Sequence, residues 1–192
     1  MIITLEGIDG CGKSTQAEML AKSIGGARKR YPDREGIYGQ LFIKILKKKV
    51  NFEMSGESLF PMFLMDMLKD MDMFSRYKGN KEKHLVVDRY VHSTLAYQCA
   101  QGFNYDKGKQ VIEGFDLVKP DIAVIIDVTP EECIKRLRGG QELFEKAYFL
   151  GKVRENYMRI YREKFFAGKM VMINGMKGPE DVHGEIERAI KG

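Results

Sequence analysis

Short apolar runs alternate along this chain with longer segments whose apolar residues recur every three or four positions. The runs fall at 2–6, 27–31, 84–88, 121–128 and 170–174, with 27–31 the faintest. Each is brief and either rich in Val and Ile or flanked by turn residues, as expected of a strand covered on both faces. Between them, Phe60, Phe63, Leu64, Met67, Leu68, Met71 and Phe74 form one helical stripe within a segment near 59–77. Phe149, Leu150, Val153, Tyr157, Ile160 and Tyr161 form another, and Val182, Ile186 and Ile190 a third, after Pro179 at a fitting first helical position. The alternation predicts an α/β fold: a parallel sheet of about five strands with helices on both faces, in a single domain spanning 1–192. Ligands of such sheets bind at the carboxyl ends of the strands.

Composition narrows the classes. Hydrophobic residues make up 44% and charged residues 31% of the 192, ordinary for a globular protein. The net charge of +5 suits a polyanionic small substrate as well as nucleic acid and decides neither. Lys47, Lys48 and Lys49 read as a solvated helix end. Cys11, Cys99 and Cys133 are odd in number and far apart, which fits a reduced compartment and argues against a disulfide framework. His84, His92 and His183 are scattered and do not suggest a metal site. The first run begins at once, leaving no room for a signal peptide, and Ile122–Ile126 is too short to span a membrane. The expectation is a cytoplasmic protein with no membrane or nucleic-acid partner.

The chemistry concentrates after the first run, in Gly7-Ile8-Asp9-Gly10-Cys11-Gly12-Lys13-Ser14-Thr15. Glycine, four residues, then Gly-Lys-Ser is the phosphate-binding loop, and it stands between a strand and a helix as it must. The glycines let backbone N–H groups turn inward onto phosphate oxygens, and the new helix adds its positive end. Lys13 reaches the outer phosphates, and the Ser14 hydroxyl suits Mg²⁺. The pattern predicts binding of a nucleoside triphosphate such as ATP. Cys11, at a helix start beside Lys13, is expected to be a reactive thiol.

A second constellation closes the third run, Val86-Val87-Asp88-Arg89-Tyr90. Asp88 is placed to hold Mg²⁺, through water, and Arg89 to sit between two phosphates and neutralise both. Arg34, in Pro32-Asp33-Arg34, can clamp an acceptor phosphate with its planar fork. Asp9 occupies a loop slot with no phosphate-binding duty and can face the acceptor. The methionine-rich helix is read as core packing, and Phe63 as either core or binding wall.

These motifs resemble those of the thymidylate kinase family, nearly end to end. The most specific parts are Glu6–Thr15 and Asp88-Arg89-Tyr90-Val91-His92-Ser93-Thr94-Leu95-Ala96-Tyr97-Gln98. Glu142–Glu145 through Val153–Tyr157 resembles the end of that family's lid and the helix after it. The resemblance implies a P-loop kinase fold with a short lid at about 136–146, transfer of the γ-phosphoryl of ATP to dTMP with Mg²⁺, and a homodimer. It puts Lys13 on the transferred phosphoryl, Asp9, Arg34 and Arg89 on the dTMP phosphate, and Phe63 on the thymine ring. Ser93, Thr94 and Gln98 would line the nucleoside pocket, with Tyr97 crowding the ribose 2′ position. Two departures matter. Met67 stands where the family commonly has a base-reading arginine, which opens the alternative of a kinase with broader base specificity. Gly10 stands where some relatives have a loop arginine, so Arg136 or Arg138, beside the Gly139-Gly140 hinge, becomes the catalytic candidate. A basic helix end capped by glycine explains those same residues.

Overall fold

In a computed structural model, which describes residues 1–46, 55–137 and 143–191, all five expected strands form. They are β1 (Ile2–Glu6), β2 (Ala27–Arg30), β3 (Leu85–Asp88), β4 (Ile122–Asp127) and β5 (Lys169–Asn174), in one parallel sheet ordered β2-β3-β1-β4-β5. The three inner strands are buried almost throughout, which is why they appear in the sequence as unbroken apolar runs. The edge strand β2 is mostly exposed, so Ala-Arg-Lys-Arg suffices there.

Around the sheet lie α1 (Lys13–Ser23), α2 (Ile37–Leu46), α3 (Gly56–Leu68), α4 (Met71–Ser75), α5 (Val91–Ala100), α6 (Tyr105–Glu113), α7 (Pro130–Arg136), α8 (Leu143–Glu163) and α9 (Pro179–Lys191). Pro179 opens α9, as its fixed φ and missing N–H favour. Thr129 caps α7 by accepting the Glu132 N–H, with Pro130 just inside. The segment expected as one helix near 59–77 is two. The chain tightens after Leu68, where the Asp70 N–H reaches the Met67 carbonyl at 3.0 Å, and starts again at Met71.

Register decides where the chemistry falls. Leu5 and Arg30 both lie opposite Asp88, so β1, β2 and β3 end within one residue of one another, while β4 runs two residues past the end of β1. The loops leaving β1, β2 and β3 therefore meet at one edge of the sheet. Among the described residues no helix is long and apolar enough to cross a membrane. The Lys47–Lys49 stretch and the Gly139-Gly140 hinge lie outside the described residues.

Candidate active site

The loop after β1 owes its shape to glycines. A side chain at Gly7 would put its Cβ 2.6 Å from the Ile126 carbonyl oxygen, and one at Gly10 would meet the Cys133 carbonyl at the same distance. Both have positive φ, 139° and 86°. Gly12, at φ 99°, caps α1 without any side-chain hydrogen bond, so the first N–H groups of the helix face the loop. Within the loop the Lys13 ammonium donates to the Ile8 carbonyl at 2.8 Å and lies 3.9 Å from the Cys11 sulfur. Burial lowers its pKa, while the Cys11 sulfur opposes that shift. Thr15 is exposed on the first turn.

Asp88 is wholly buried at the end of β3. One of its oxygens accepts the Ser14 hydroxyl at 2.6 Å, and the other is buried with no hydrogen-bond partner among the described residues. A carboxylate oxygen and a hydroxyl brought together in this way are the hard donors a Mg²⁺ site uses. Arg28 and Arg30 each approach the same carboxylate to 3.7 Å from the edge strand.

The next residue, Arg89, holds a left-handed backbone at φ 71°, a conformation a non-glycine residue keeps only when its surroundings impose it. Its N–H donates to the Leu5 carbonyl at 3.0 Å. Its guanidinium donates to the Asp9 carboxylate, to the Tyr97 hydroxyl at 3.4 Å and to the Ser93 hydroxyl at 3.4 Å, and lies 4.9 Å from the Tyr97 ring centre. Burial works against this cation, yet Tyr97, Tyr157 and Asp9 carry its pKa above the ordinary value. Burial likewise raises Asp9, but Arg89 and Lys13 outweigh it and leave the carboxyl below its usual range. The pair thus stays charged at neutral pH.

Beyond the pair opens a cavity of about 510 Å³. Asp9, Arg30, Arg34 and Arg89 bring charge to its lining, which Phe42, Phe63, Met67, Ser93, Thr94, Tyr97, Gln98 and Gln101 share. Phe63 stacks flat on buried Phe42, with centroids 4.3 Å apart and planes within 6°, and lines the cavity. Buried Met67 adds apolar wall and no donor. Gln98 is only 3% exposed, and its side-chain oxygen has no partner among the described residues.

Sequence reasoning gave no role to the carboxylate behind this arrangement. Glu6, wholly buried, accepts the Tyr90 N–H at 2.9 Å and the Ser93 hydroxyl at 2.6 Å, and meets the His92 Nδ1 at 3.3 Å and the Tyr157 hydroxyl at 3.4 Å. It anchors the turn that follows Arg89. The available signal was the placement itself, because a charge ending a buried strand must be paired. Arg30, Phe42 and Gln101 were also missed, each being unremarkable in its local pattern.

The structure brings Asp9, Lys13, Ser14, Asp88 and Arg89 to one edge, and α7, which carries Arg136, packs on the phosphate loop, with Cys133 and Leu137 against Gly10. Arg136 donates to Glu132 at 3.1 Å and to the Gly175 carbonyl at 3.1 Å. Arg138 lies outside the described residues. The reactive thiol expected at Cys11 meets a physical obstacle: the side chain is 2% exposed, closed in by the loop it belongs to. Burial pushes the Cys99 and Cys133 thiols up to about 12, so neither replaces it as a nucleophile.

A parallel sheet with its phosphate loop after the first strand and an acid at the end of the neighbouring one defines a P-loop kinase fold. The thymidylate kinase family model matches residues 5–186. A probable thymidylate kinase of Methanococcus aeolicus is 38% identical over 189 residues, which are 96% of this chain and 92% of that one. The thymidylate kinase of Dictyostelium discoideum is 30% identical over 192 residues, 97% of this chain and 82% of that one. Among solved structures, the thymidylate kinase of Candida albicans, described for its broad substrate specificity, superposes with a TM-score of 0.82 at 25% identity, covering 99% of this chain and 90% of that one. This chain belongs to the thymidylate kinase family.

Proposed function

We propose that this protein transfers the γ-phosphoryl of ATP to dTMP, giving dTDP and ADP. The observation that carries the reading is the Asp9–Arg89 pair, which joins the phosphate loop to a cavity that the Phe63 ring also lines. The backbone of Gly7–Thr15 would hold the ATP phosphates, with Lys13 on the phosphoryl that moves. Ser14 and Asp88 would hold Mg²⁺, which when bound neutralises charge on the donor phosphates. Asp9, Arg34 and Arg89 would hold the acceptor phosphate and align it for attack. The reaction needs little covalent help from the protein, so alignment and charge stabilisation are the main contributions.

The base would lie against Phe63 and Met67, beside Ser93 and Thr94, with Tyr97 leaving no room for a ribose 2′-hydroxyl. Because Met67 cannot donate, recognition of thymine falls to Gln98, whose side-chain amide lines the cavity and carries both a donor and an acceptor. The names of the relatives favour dTMP over the broader base range that Met67 raises. In this reading the chain is one domain with a lid at about 136–146. The lid would bring Arg138, or Arg136 released from Glu132, toward the phosphates and exclude water. The proposed setting is cytoplasmic and the proposed assembly a homodimer. Exposed Ile37, Leu41 and Met65 on the adjacent α2 and α3 offer it an apolar surface.

The test is ADP release with Mg²⁺-ATP against dTMP, dUMP, UMP, dCMP, dAMP and dGMP. dTMP is expected to dominate, and comparable rates with several of the others would replace this reading with a relaxed-specificity kinase. Gln98→Leu removes the amide while keeping the bulk. It is expected to raise the KM for dTMP about tenfold or more and to narrow the preference over dCMP, as steady-state kinetics would show.

A further inference from the structure

Side chains alternate along β2, so Lys29 leaves the sheet opposite Arg28 and Arg30. There it joins a cluster that the phosphate chemistry does not use. Its ammonium lies 2.8 Å from the Asp33 carboxylate and 2.9 Å from Asp70. A second ammonium, Lys69 at the end of α3, lies 3.1 Å from Asp33, 3.2 Å from Asp66 and 2.7 Å from Asp70. The Tyr31 hydroxyl donates to Asp70 at 2.8 Å, and both ammonium groups approach the Tyr31 ring, at 5.5 and 5.6 Å from its centre. Asp66 is wholly buried and accepts the Asp33 backbone N–H at 2.8 Å.

The connectivity gives this cluster its meaning. Asp33 immediately precedes Arg34, which lines the cavity. Asp66 and Lys69 flank Met67 at the end of the helix that also carries Phe63, and Met67 and Phe63 line the same cavity. The chain that presents the guanidinium and the helix that presents the wall are thus fastened at three carboxylates by two ammonium groups. We infer that Lys69 is a positioning residue that fixes Arg34 at a set span from the base-facing wall, so that the cavity favours a nucleoside carrying a 5′-phosphate over the bare nucleoside. This rests on the acceptor role proposed for the cavity.

Isolated surface ion pairs contribute little, but this cluster differs in two ways. Asp66 has no water to fall back on, and no cation other than Lys69 lies within ion-pair distance of it among the described residues. Removing Lys69 also leaves Asp33 and Asp70 sharing Lys29 alone, with Asp66 uncompensated beside them. Hydrogen bonding from Lys29 and then Lys69 holds the Asp33 carboxyl below its usual range, so the tie persists at neutral pH.

The experiment is titration calorimetry of the whole protein with dTMP and with thymidine, without ATP or metal, for the wild type, Lys69→Met, Lys69→Arg and Asp33→Asn. Lys69→Met is expected to weaken dTMP binding about tenfold while leaving thymidine binding within about twofold, since a misplaced clamp costs only the ligand it clamps. Lys69→Arg should restore most of the difference. Asp33→Asn, which keeps the size of the side chain, should reproduce the loss from the other side. Equal weakening of both ligands, or a lower Tm with the dTMP-to-thymidine ratio unchanged, would overturn the positioning role and leave Lys69 as plain structural support. A wild type that binds thymidine and dTMP alike would overturn the acceptor reading itself, and the inference with it.

Discussion

Arg89→Met is expected to lower the turnover of dTMP by about 10³-fold, the scale set by removing a preorganised cation from a phosphoryl-transfer site. Arg89 has the contacts such a cation needs. Its backbone is locked at φ 71° by the turn that Glu6 anchors, and its guanidinium is held by Asp9, Tyr97 and Ser93 before any substrate contributes. Little reorganisation then remains to be done during the reaction. Methionine keeps the length and the apolar contact with the Tyr97 ring while removing the charge. Asp9 is half-exposed, so losing its partner should cost little stability, and a Tm within a few degrees of wild type is expected. Arg89→Lys should recover only part of the rate, because a point charge cannot reproduce a planar fork shared between several acceptors. Near-normal turnover by folded Arg89→Met would mean that transfer takes place elsewhere. The measurement is kcat and KM for dTMP at saturating Mg²⁺-ATP, with the melting curve as the folding control.

How far the sequence went depended on the kind of constraint each residue answers to. The phosphate loop was legible because its demands are on the backbone, and glycine is nearly the sole residue that meets them at Gly7 and Gly10. The inner strands were legible because burial on both faces leaves an unbroken apolar run. The edge strand β2 was faint, since its exposed position relaxes that demand and its charges serve partners on two different sides. The break between α3 and α4 was hidden because the apolar spacing runs straight through Lys69 and Asp70. What interrupts the helix there is a local turn, and the side chains at it pair with Asp33 and Lys29, more than thirty residues away. Glu6 and Phe42 escaped for the same reason, as their partners lie far along the chain. Cys11 shows the opposite error. Its place at a helix start beside a lysine argued for reactivity, but the loop that creates that field also buries the sulfur.

Lys13→Ala should be nearly as damaging, but at the other half of the site. The Lys13 ammonium is 5% exposed and rests on the Ile8 carbonyl at 2.8 Å, inside the loop whose N–H groups would face the donor phosphates. Burial already lowers its pKa, which means the cation is poorly solvated and gains strongly when phosphate oxygens arrive. Removing it should cut turnover by about 10²- to 10³-fold and weaken ATP binding. It should not harm folding, because an amine held by one carbonyl contributes little net stability and its desolvation cost disappears with it. Asp9, Arg34 and Arg89 remain, so dTMP titrated without ATP should bind Lys13→Ala as it binds wild type. Arg89→Met should show the converse, with ATP binding kept and dTMP binding weakened. If instead each substitution weakened both nucleotides equally, the loop and the cavity would have to be one shared site, and the division of Lys13 to the donor and Arg89 to the acceptor would fall.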